Sequence, residues 1–296
     1  MDEPVIKISD LTKFYGRTKG IDHINLEIGK GEIFGFIGPN GAGKSTTIRI
    51  LMNLIFPTAG SAKIMGMDVI RQTKEIKKKT GYIPSDANPY SYMDVNEFLN
   101  YCIRFHNPVS ADSRISELAG IFELDLKRKI SDLSLGNRKK VSIVQSLLHN
   151  PELLIMDEPT TGLDPLMQSV FFELLHSENK KGVTIFFSSH NLAEVQMFCK
   201  RVAIIREGRI IKVEDIESLR KKQLKRVTIE FSESAGIGSF TIAGAENLVT
   251  SPGNVVSFMY SGQINDLVNA LSGKSLKNLI IEEPSLEEIF MHYYKA

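Results

Sequence analysis

The sequence GPNGAGKST, at residues 38–46, decides the fold of this chain. It fits the pattern G-x-x-x-x-G-K-[ST], in which glycines let the backbone turn its N–H groups toward a phosphate. The apolar run IFGFI at residues 33–37 precedes it and predicts a buried strand, and residues 46–54 follow with the apolar spacing of a helix. The N-terminus of that helix adds a partial positive charge that attracts anions. The stretch therefore predicts a nucleoside triphosphate site.

Composition and length limit the classes of protein that fit. The chain has 296 residues with 42% hydrophobic residues, which suits about two domains with sizeable cores, and its formal net charge of +1 gives no global field for nucleic acid. Two cysteines, Cys102 and Cys199, lack metal-ligand spacing and predict a reducing compartment. The sequence shows neither a secretory signal nor an apolar run of about 18 residues. We therefore expect another chain to supply any membrane-spanning part.

Strands and helices alternate along most of the chain. Apolar runs that predict strands precede segments with helical spacing, which favours a largely parallel α/β sheet. Residues 5–11 and 21–28 alternate polar with apolar side chains, the first in the manner of an edge strand. A helical insert is expected at about residues 86–148. The sequence thus predicts a larger domain at residues 1–217 and a smaller one at residues 218–296.

The smaller domain reads as an α+β unit without a phosphate-binding or catalytic pattern of its own. Its predicted strands are residues 227–231, 239–242, 255–260 and 276–281, and its predicted helices are residues 264–271 and 286–293.

Two acids end another predicted strand. The sequence LLIMDE at residues 153–158 is an apolar run followed by Asp157 and Glu158. Asp157 is placed to hold Mg²⁺ through its water shell, whereas Glu158 points elsewhere and is placed to orient or deprotonate an attacking water. Three further motifs surround this strand: LSLGN at residues 133–137, which opens a helix, TTGLDP at residues 160–165, and SSH at residues 188–190.

Taken in order, these motifs resemble the nucleotide-binding subunit of an ATP-binding cassette (ABC) transporter, over residues 5 to about 217. The resemblance implies an α/β P-loop NTPase fold, in which a RecA-like core carries an antiparallel β subdomain and a helical insert, with the small C-terminal α+β domain in addition. It also implies ATP hydrolysis, with ATP and Mg²⁺ as ligands. The ending EEPSLEEIFMHYY at residues 282–294 resembles that of bacterial exporters of the bacitracin-resistance and drug or antimicrobial-peptide type.

The resemblance also implies a role for individual residues. The implied catalytic residues are Glu158, His190 and Lys44. The implied ATP-binding residues are Tyr15, which stacks on adenine, and Gly38, Asn40, Gly41, Gly43, Lys44, Ser45 and Thr46. The residues implied to face the nucleotide of a second cassette are Ser134, Gly136 and Asn137, and Asp164 couples the two sites. The implied metal ligands are Ser45 and Asp157, with Ser85 acting through water or Asp86 in its place.

Three residues depart from the family pattern. Leu135 and Asn137 stand where the signature motif usually has glycine and glutamine, and Ser85 stands where a glutamine is usual. If the position of Leu135 requires a positive φ, the leucine costs about 1 kcal/mol. Such departures fit a pair of unlike cassettes with one weaker site, so a second copy and a paralogous ATPase subunit both stay open as the dimer partner.

The resemblance implies a pair of cassettes at the cytoplasmic face of the cell membrane. Closure on two ATP molecules would drive a separate permease that exports a peptide, antibiotic or other small amphipathic compound. Tyr90 and Tyr92 are equally candidates for permease contacts and for core or loop residues.

Two other classes of protein share a phosphate-binding loop. A soluble ABC-family ATPase acting on the ribosome or nucleic acid is the main alternative, but a single cassette, a short insert and near-zero net charge count against it, so no nucleic acid partner is expected. A small-molecule kinase needs neither the LSLGN nor the TTGLDP motif.

Overall fold

A computed structural model of the chain describes residues 3–86, 92–106, 111–221, 225–232, 242–282 and 284. The chain forms two compact units, Met1–Val213 and Glu214–Ala296. The functional division at residue 217 that the sequence suggests, with a nucleotide-binding domain before it and an accessory domain after it, stays a prediction.

The first unit alternates strands with helices. Its described strands are β1 (Ile6–Tyr15), β2 (Thr18–Ile28), β3 (Ile33–Ile37), β4 (Ala59–Ile64), β5 (Met67–Asp68), β6 (Thr80–Ile83), β7 (Leu153–Asp157), β8 (Thr184–Ser189), β9 (Arg201–Arg206) and β10 (Arg209–Asp215), the last of which ends in the second unit. Its described helices are α1 (Lys44–Leu51), α2 (Thr73–Lys79), α3 (Val95–Ile103), α4 (Ala111–Ile121), α5 (Leu135–Leu147), α6 (Pro165–Lys180) and α7 (Leu192–Phe198).

A six-stranded sheet in the order β10-β9-β3-β8-β7-β6 forms the centre of the first unit. The strands from β9 to β6 are parallel to one another. β3, β7 and β8 are buried along their whole length, which explains why each is a continuous apolar run rather than an alternating one. The predicted parallel α/β sheet is confirmed. Because the strands are parallel, the segments that follow β3, β7 and β8 emerge at the same edge of the sheet.

A second, antiparallel sheet has the order β2-β1-β4-β5. β1 pairs with β2 on one side and with β4 on the other, so its prediction as an edge strand is wrong. The alternating pattern of β1 indicates only that one face of the strand is exposed. An inner strand of an antiparallel sheet with one face in solvent shows the same pattern as an edge strand. Ile6 and Ile24 from this sheet belong to the same buried cluster as Phe36 and Phe186 from the parallel sheet.

The helical insert contains α3, α4 and α5, and α3 packs against the other two. α3 begins with a capping box, in which the Asp94 side chain accepts from the backbone N–H of Glu97 and the Glu97 side chain accepts from that of Asp94. This reciprocal pair satisfies two N–H groups that a helix start leaves without partners. The predicted helices of the insert are therefore confirmed.

The second unit contains a sheet in the order β12-β13-β11-β14. Its described elements are α8 (Ile216–Lys221), β11 (Lys225–Phe231), β12 (Ala245–Ser251), β13 (Val255–Tyr260), α9 (Ile264–Leu271) and β14 (Leu276–Glu282). The sheet pairs are antiparallel, and the buried side chains of β11, β13 and α9 form one core.

Most of the elements expected in the second unit are present, but β12 was missed. Its sequence AENLVTS has side chains that are nearly all exposed, so it carries no apolar alternation. Residues 239–241 of one predicted strand, the predicted helix at residues 286–293 and most of the ending at residues 282–294 lie outside the described residues.

Candidate active site

The phosphate-binding loop connects β3 to α1. Gly43 is the N-cap of α1 and has a φ of 111°, a region that residues with a Cβ rarely adopt. A Cβ at Gly43 would lie 2.6 Å from Cγ2 of Ile21, and a Cβ at Gly38 would clash with the carbonyl oxygen of Ile205 in β9. The loop therefore passes so close to neighbouring strands that only glycine fits at these two positions.

Lys44 is buried at the start of α1. Its Nζ donates to the carbonyl oxygen of Gly38 at 2.7 Å and to that of Pro39 at 3.2 Å. The same Nζ lies 3.2 Å from Oε1 of Glu158. The ammonium is thus held over the loop and within reach of an acidic group from another strand.

Asp157 is the last residue of β7 and is fully buried. Its Oδ1 accepts from the hydroxyl of Ser188 at 2.6 Å, but its Oδ2 is buried without a hydrogen-bond partner among the described residues. A buried carboxylate oxygen without a partner is costly, and a hard cation is one group that satisfies it. This carboxylate oxygen of Asp157 is therefore a suitable ligand for Mg²⁺.

Glu158 follows β7 and has a left-handed backbone with φ 48°. Its backbone N–H donates to the carbonyl oxygen and to the hydroxyl of Ser188, both at 3.2 Å. A non-glycine residue in this region persists only where its surroundings hold it, as they do here. Its Oε2 lies 3.0 Å from Nδ1 of His190. The segments that follow β3, β7 and β8 therefore bring Lys44, Glu158 and His190 together.

The LSLGN and TTGLDP motifs meet each other. A Cβ at Gly136 would lie 2.6 Å from the carbonyl oxygen of Gly162, so the two segments touch there. Ser134 is the N-cap of α5, where its hydroxyl accepts from the N–H of Asn137 at 3.3 Å. Asp164 is the N-cap of α6, where its carboxylate accepts from the N–H of Met167 at 3.0 Å. Both side chains therefore have a structural role in addition to the one that the resemblance implies.

Leu135 begins α5 and is not among the residues with positive φ. The condition for a backbone strain at this position is therefore not met, because a residue in the first turn of a helix has ordinary helical dihedral angles. Its side chain is 59% exposed.

The other predicted site residues differ in their exposure to solvent. Tyr15 ends β1 and is 47% exposed, with Nζ of Lys13 5.2 Å from its ring centroid. Asn40 and Gly41 are exposed, while Ser45 and Thr46 in the first turn of α1 are half-buried. Tyr92 is 73% exposed, which excludes a core position for it, and Tyr90 lies outside the described residues.

Sequence reasoning missed Lys139 on α5. The side chain is 2% exposed, and its Nζ donates to the carbonyl oxygens of Pro84 at 2.9 Å and Ser85 at 3.1 Å. Burial lowers the pKa of Lys139 to about 8, although the charges of Asp157, Asp86 and Glu158 act in the opposite direction. Nothing in the sequence distinguishes Lys139 from the adjacent Lys140. The ammonium fastens the loop that carries Ser85 to α5, and Ser85 itself stays a prediction as a metal ligand.

No helix among the described residues has the length and apolar content that crossing a membrane requires.

Comparisons with known proteins identify the family to which the chain is similar. The family model described as ABC transporter matches residues 21–161. The bacitracin transport ATP-binding protein BcrA of Bacillus licheniformis is 38% identical over 232 residues, which cover 77% of this chain and 76% of that protein. The linearmycin resistance ATP-binding protein LnrL of Bacillus subtilis (strain 168) is 27% identical over 304 residues, which cover 97% of both chains.

A solved structure extends the likeness to the fold. The dimeric structure of an ATP-binding cassette in a post-hydrolysis state, bound to ADP and Pi, has a TM-score of 0.66 and 25% identity, covering 71% of this chain and 98% of that chain. These relatives give no support to a soluble ATPase acting on the ribosome or nucleic acid. The match to the family model and the 38% identity to BcrA show the family of this chain: it is an ATP-binding ATPase subunit of the ABC transporter family.

Proposed function

We propose that this chain hydrolyses ATP in a head-to-tail pair of cassettes and thereby drives a separate membrane permease. The observation that carries the proposal is the convergence of Lys44, Glu158 and His190, together with the Oδ2 of Asp157, which has no hydrogen-bond partner among the described residues. The names of the relatives, bacitracin transport and linearmycin resistance, support export of a peptide, antibiotic or other small amphipathic compound.

The chain's own residues divide the work at the nucleotide. The backbone of the loop and the ammonium of Lys44 bind the β- and γ-phosphates, and Tyr15 stacks on the adenine. Glu158 orients the attacking water and accepts its proton, while His190 contacts the γ-phosphate. The further phosphate-binding residues are Gly38, Asn40, Gly41, Gly43, Ser45 and Thr46.

Asp157 and Ser45 hold Mg²⁺, which when bound neutralises charge on the phosphates. The Oδ2 of Asp157 supports this assignment because it is a buried carboxylate oxygen to which none of the described residues donates a hydrogen bond. Ser85 would act on the ion through water, or Asp86 would take its place.

The second cassette completes each site. Ser134, Gly136 and Asn137 bind the nucleotide of the partner cassette at the N-terminus of α5, where backbone N–H groups favour an anion, and Asp164 couples the two sites. The dimeric form of the similar cassette supports a pair. The partner is a second copy or a paralogous subunit, and the pair works at the cytoplasmic face of the cell membrane against its permease.

Turnover of the full chain tests the assignment of Glu158. Glu158→Gln is expected to lower kcat by at least about 100-fold while ATP still binds, because the amide keeps the shape but accepts no proton. Glu152→Gln is the matched control, since Glu152 directly precedes β7 and its carboxylate forms an ion pair with the exposed Lys79 at the surface. Equal turnover of the Glu158→Gln variant and the wild type would overturn the assignment.

Affinity purification from detergent-solubilised membranes tests the permease. We expect a multi-span membrane protein to be recovered in stoichiometric amount with the tagged chain, identified by mass spectrometry. Recovery of ribosomal proteins or nucleic acid without a membrane protein would contradict the proposal.

A further inference from the structure

Glu194 on α7 is a buried carboxylate with no place yet in the mechanism. Its residue is only 7% exposed. Its Oε1 accepts from the hydroxyl of Thr160 at 2.9 Å and from Nδ2 of Asn191 at 3.4 Å, and its Oε2 accepts from the hydroxyl of Ser189 at 2.7 Å. A buried carboxylate is costly unless hydrogen bonds satisfy it, and here both oxygens have a donor. Among the described residues these donors are all neutral.

The donors belong to two different segments of the active site. Thr160 opens the TTGLDP motif, directly after Glu158 and Pro159. Ser189 ends β8 and directly precedes His190. Glu194 thus joins the segment that carries Glu158 to the segment that carries His190, yet no hydrogen bond or ion pair of the described structure joins it to either residue.

Two layers of hydrogen bonds tie β7 to β8 at this edge. Successive side chains of a strand point to opposite faces. Accordingly Ser188 donates to Asp157 on one side of β8, and Ser189 donates to Glu194 on the other. Glu158 directly follows Asp157 in sequence and His190 directly follows Ser189, and the two side chains are 3.0 Å apart. The distance between the two catalytic side chains therefore depends on both layers.

We propose that Glu194 is a positioning residue for ATP hydrolysis, which holds Thr160 and Ser189 together and so sets the register of Glu158 against His190. The proposal rests on the function proposed above. It also couples the position of the TTGLDP motif to that of His190, because a displacement of Thr160 moves the carboxylate of Glu194, which holds Ser189 next to His190. Misplacement of a catalytic group by about 1 Å lowers rates by as much as about 100-fold.

A role in packing alone predicts a different result, and Glu178 provides the comparison. Glu178 is the other buried glutamate described in the first unit, where it pairs with Arg114 and Lys181, each at 2.9 Å. Its partners are not among the catalytic residues. Replacing Glu178 should lower the melting temperature without changing kcat, whereas replacing Glu194 should change kcat even in a folded protein.

The test measures kcat, KM for ATP and Tm of the full chain. We expect Glu194→Ala, Thr160→Val and Ser189→Ala each to lower kcat at least about tenfold with KM within about threefold of wild type. Thr160→Val and Ser189→Ala each remove one donor, so they test the proposal even where Glu194→Ala fails to fold. Adding Thr160→Val to Glu194→Ala should lower kcat no further, because the two residues act as one unit.

Rescue and failure are both measurable. Glu194→Gln should retain most of the turnover, since the hydroxyls of Thr160 and Ser189 can each donate or accept. Wild-type kcat in folded Thr160→Val and Ser189→Ala variants, or an equal loss of kcat in Glu178→Gln, would overturn the proposal while leaving the proposed function intact. Two other results would overturn the proposed function, and this inference with it. One is that the wild-type chain hydrolyses no ATP, and the other is that Glu158→Gln turns over ATP as fast as the wild type.

Discussion

Single residues of this chain serve the fold and the site at once. Ser134 and Asp164 cap helices through their side-chain oxygens, although the resemblance to the family assigns them contacts with a second cassette. Gly38 is required by the approach of Ile205 as much as by a phosphate. A loss of activity on replacing such a residue therefore needs a stability measurement beside it, because either role explains the loss.

The first prediction concerns Leu135. Because this residue lies in the first turn of α5 without positive φ, Leu135→Gly relieves no strain and instead lowers the free energy of unfolding by up to about 1 kcal/mol through the poor helix propensity of glycine. Leu166→Gly is the matched control, since Leu166 is an exposed leucine in the first turn of α6. Chemical denaturation should show losses of similar size. A gain in stability for Leu135→Gly alone would show that the leucine is strained.

At the scale of elements, the parallel order of β3, β8 and β7 assembles the site. Three segments far apart in sequence leave the sheet at one edge, and hydrogen bonds from Ser188 and Ser189 in β8 fasten the neighbouring segments. α5 is attached to the same region from the helical insert, through the buried ammonium of Lys139. A movement of α5 is thus transmitted to the loop that carries Ser85.

The second prediction separates capping of α6 from coupling. Asp164→Ala should lower the free energy of unfolding by about 1 kcal/mol because the N-cap is lost, whereas Asp164→Asn should keep the stability because asparagine caps equally well. Denaturation curves of the two variants check this. If the asparagine variant keeps its stability but loses cooperativity in ATP hydrolysis, the coupling role is supported. Equal stability losses in both variants would contradict the capping argument.

At the scale of the whole molecule, the chain has two units with separate cores. The core of the first joins both of its sheets, whereas the core of the second draws on β11, β13 and α9. A relative such as LnrL matches the chain over 97% of its length, so the likeness extends through the second unit.

The third prediction concerns stability against acid. The ring of His149 stacks on that of His106 with centroids 3.9 Å apart. Burial, and to a lesser extent the charge of the neighbouring His106, lower the pKa of His149 to about 4. An ordinary histidine titrates near 6.5. Between these values the unfolded chain binds a proton that the folded chain does not, so the stability that is present above about pH 6.5 is lost as the pH falls toward 4.

Replacing His149 should therefore flatten this pH dependence. Between pH 7 and pH 5, the wild type is expected to lose about 2 kcal/mol more of its unfolding free energy than His149→Gln does. Urea denaturation at the two pH values measures the difference. The same loss in both proteins would mean that His149 already carries its proton in the folded state at pH 5.

Much of the fold follows from local patterns. Residues close together in sequence form the apolar runs of β3, β7 and β8 and the helical spacing of α1 and α5. The order of the motifs indicated the family. β12 escaped because exposed side chains leave no pattern to detect. β1 was misplaced as an edge strand because alternation does not report which strands lie beside it.

The sequence by itself determined the P-loop fold, the order of the motifs and the candidates Lys44, Asp157, Glu158 and His190. The tertiary structure alone decided that Lys139 and Glu194 are buried, since their partners Ser85 and Thr160 lie on segments distant in sequence. It also decided that Leu135 is unstrained. The physical reason is that charge burial and hydrogen bonding depend on neighbours in space, whereas sequence patterns report only neighbours along the chain.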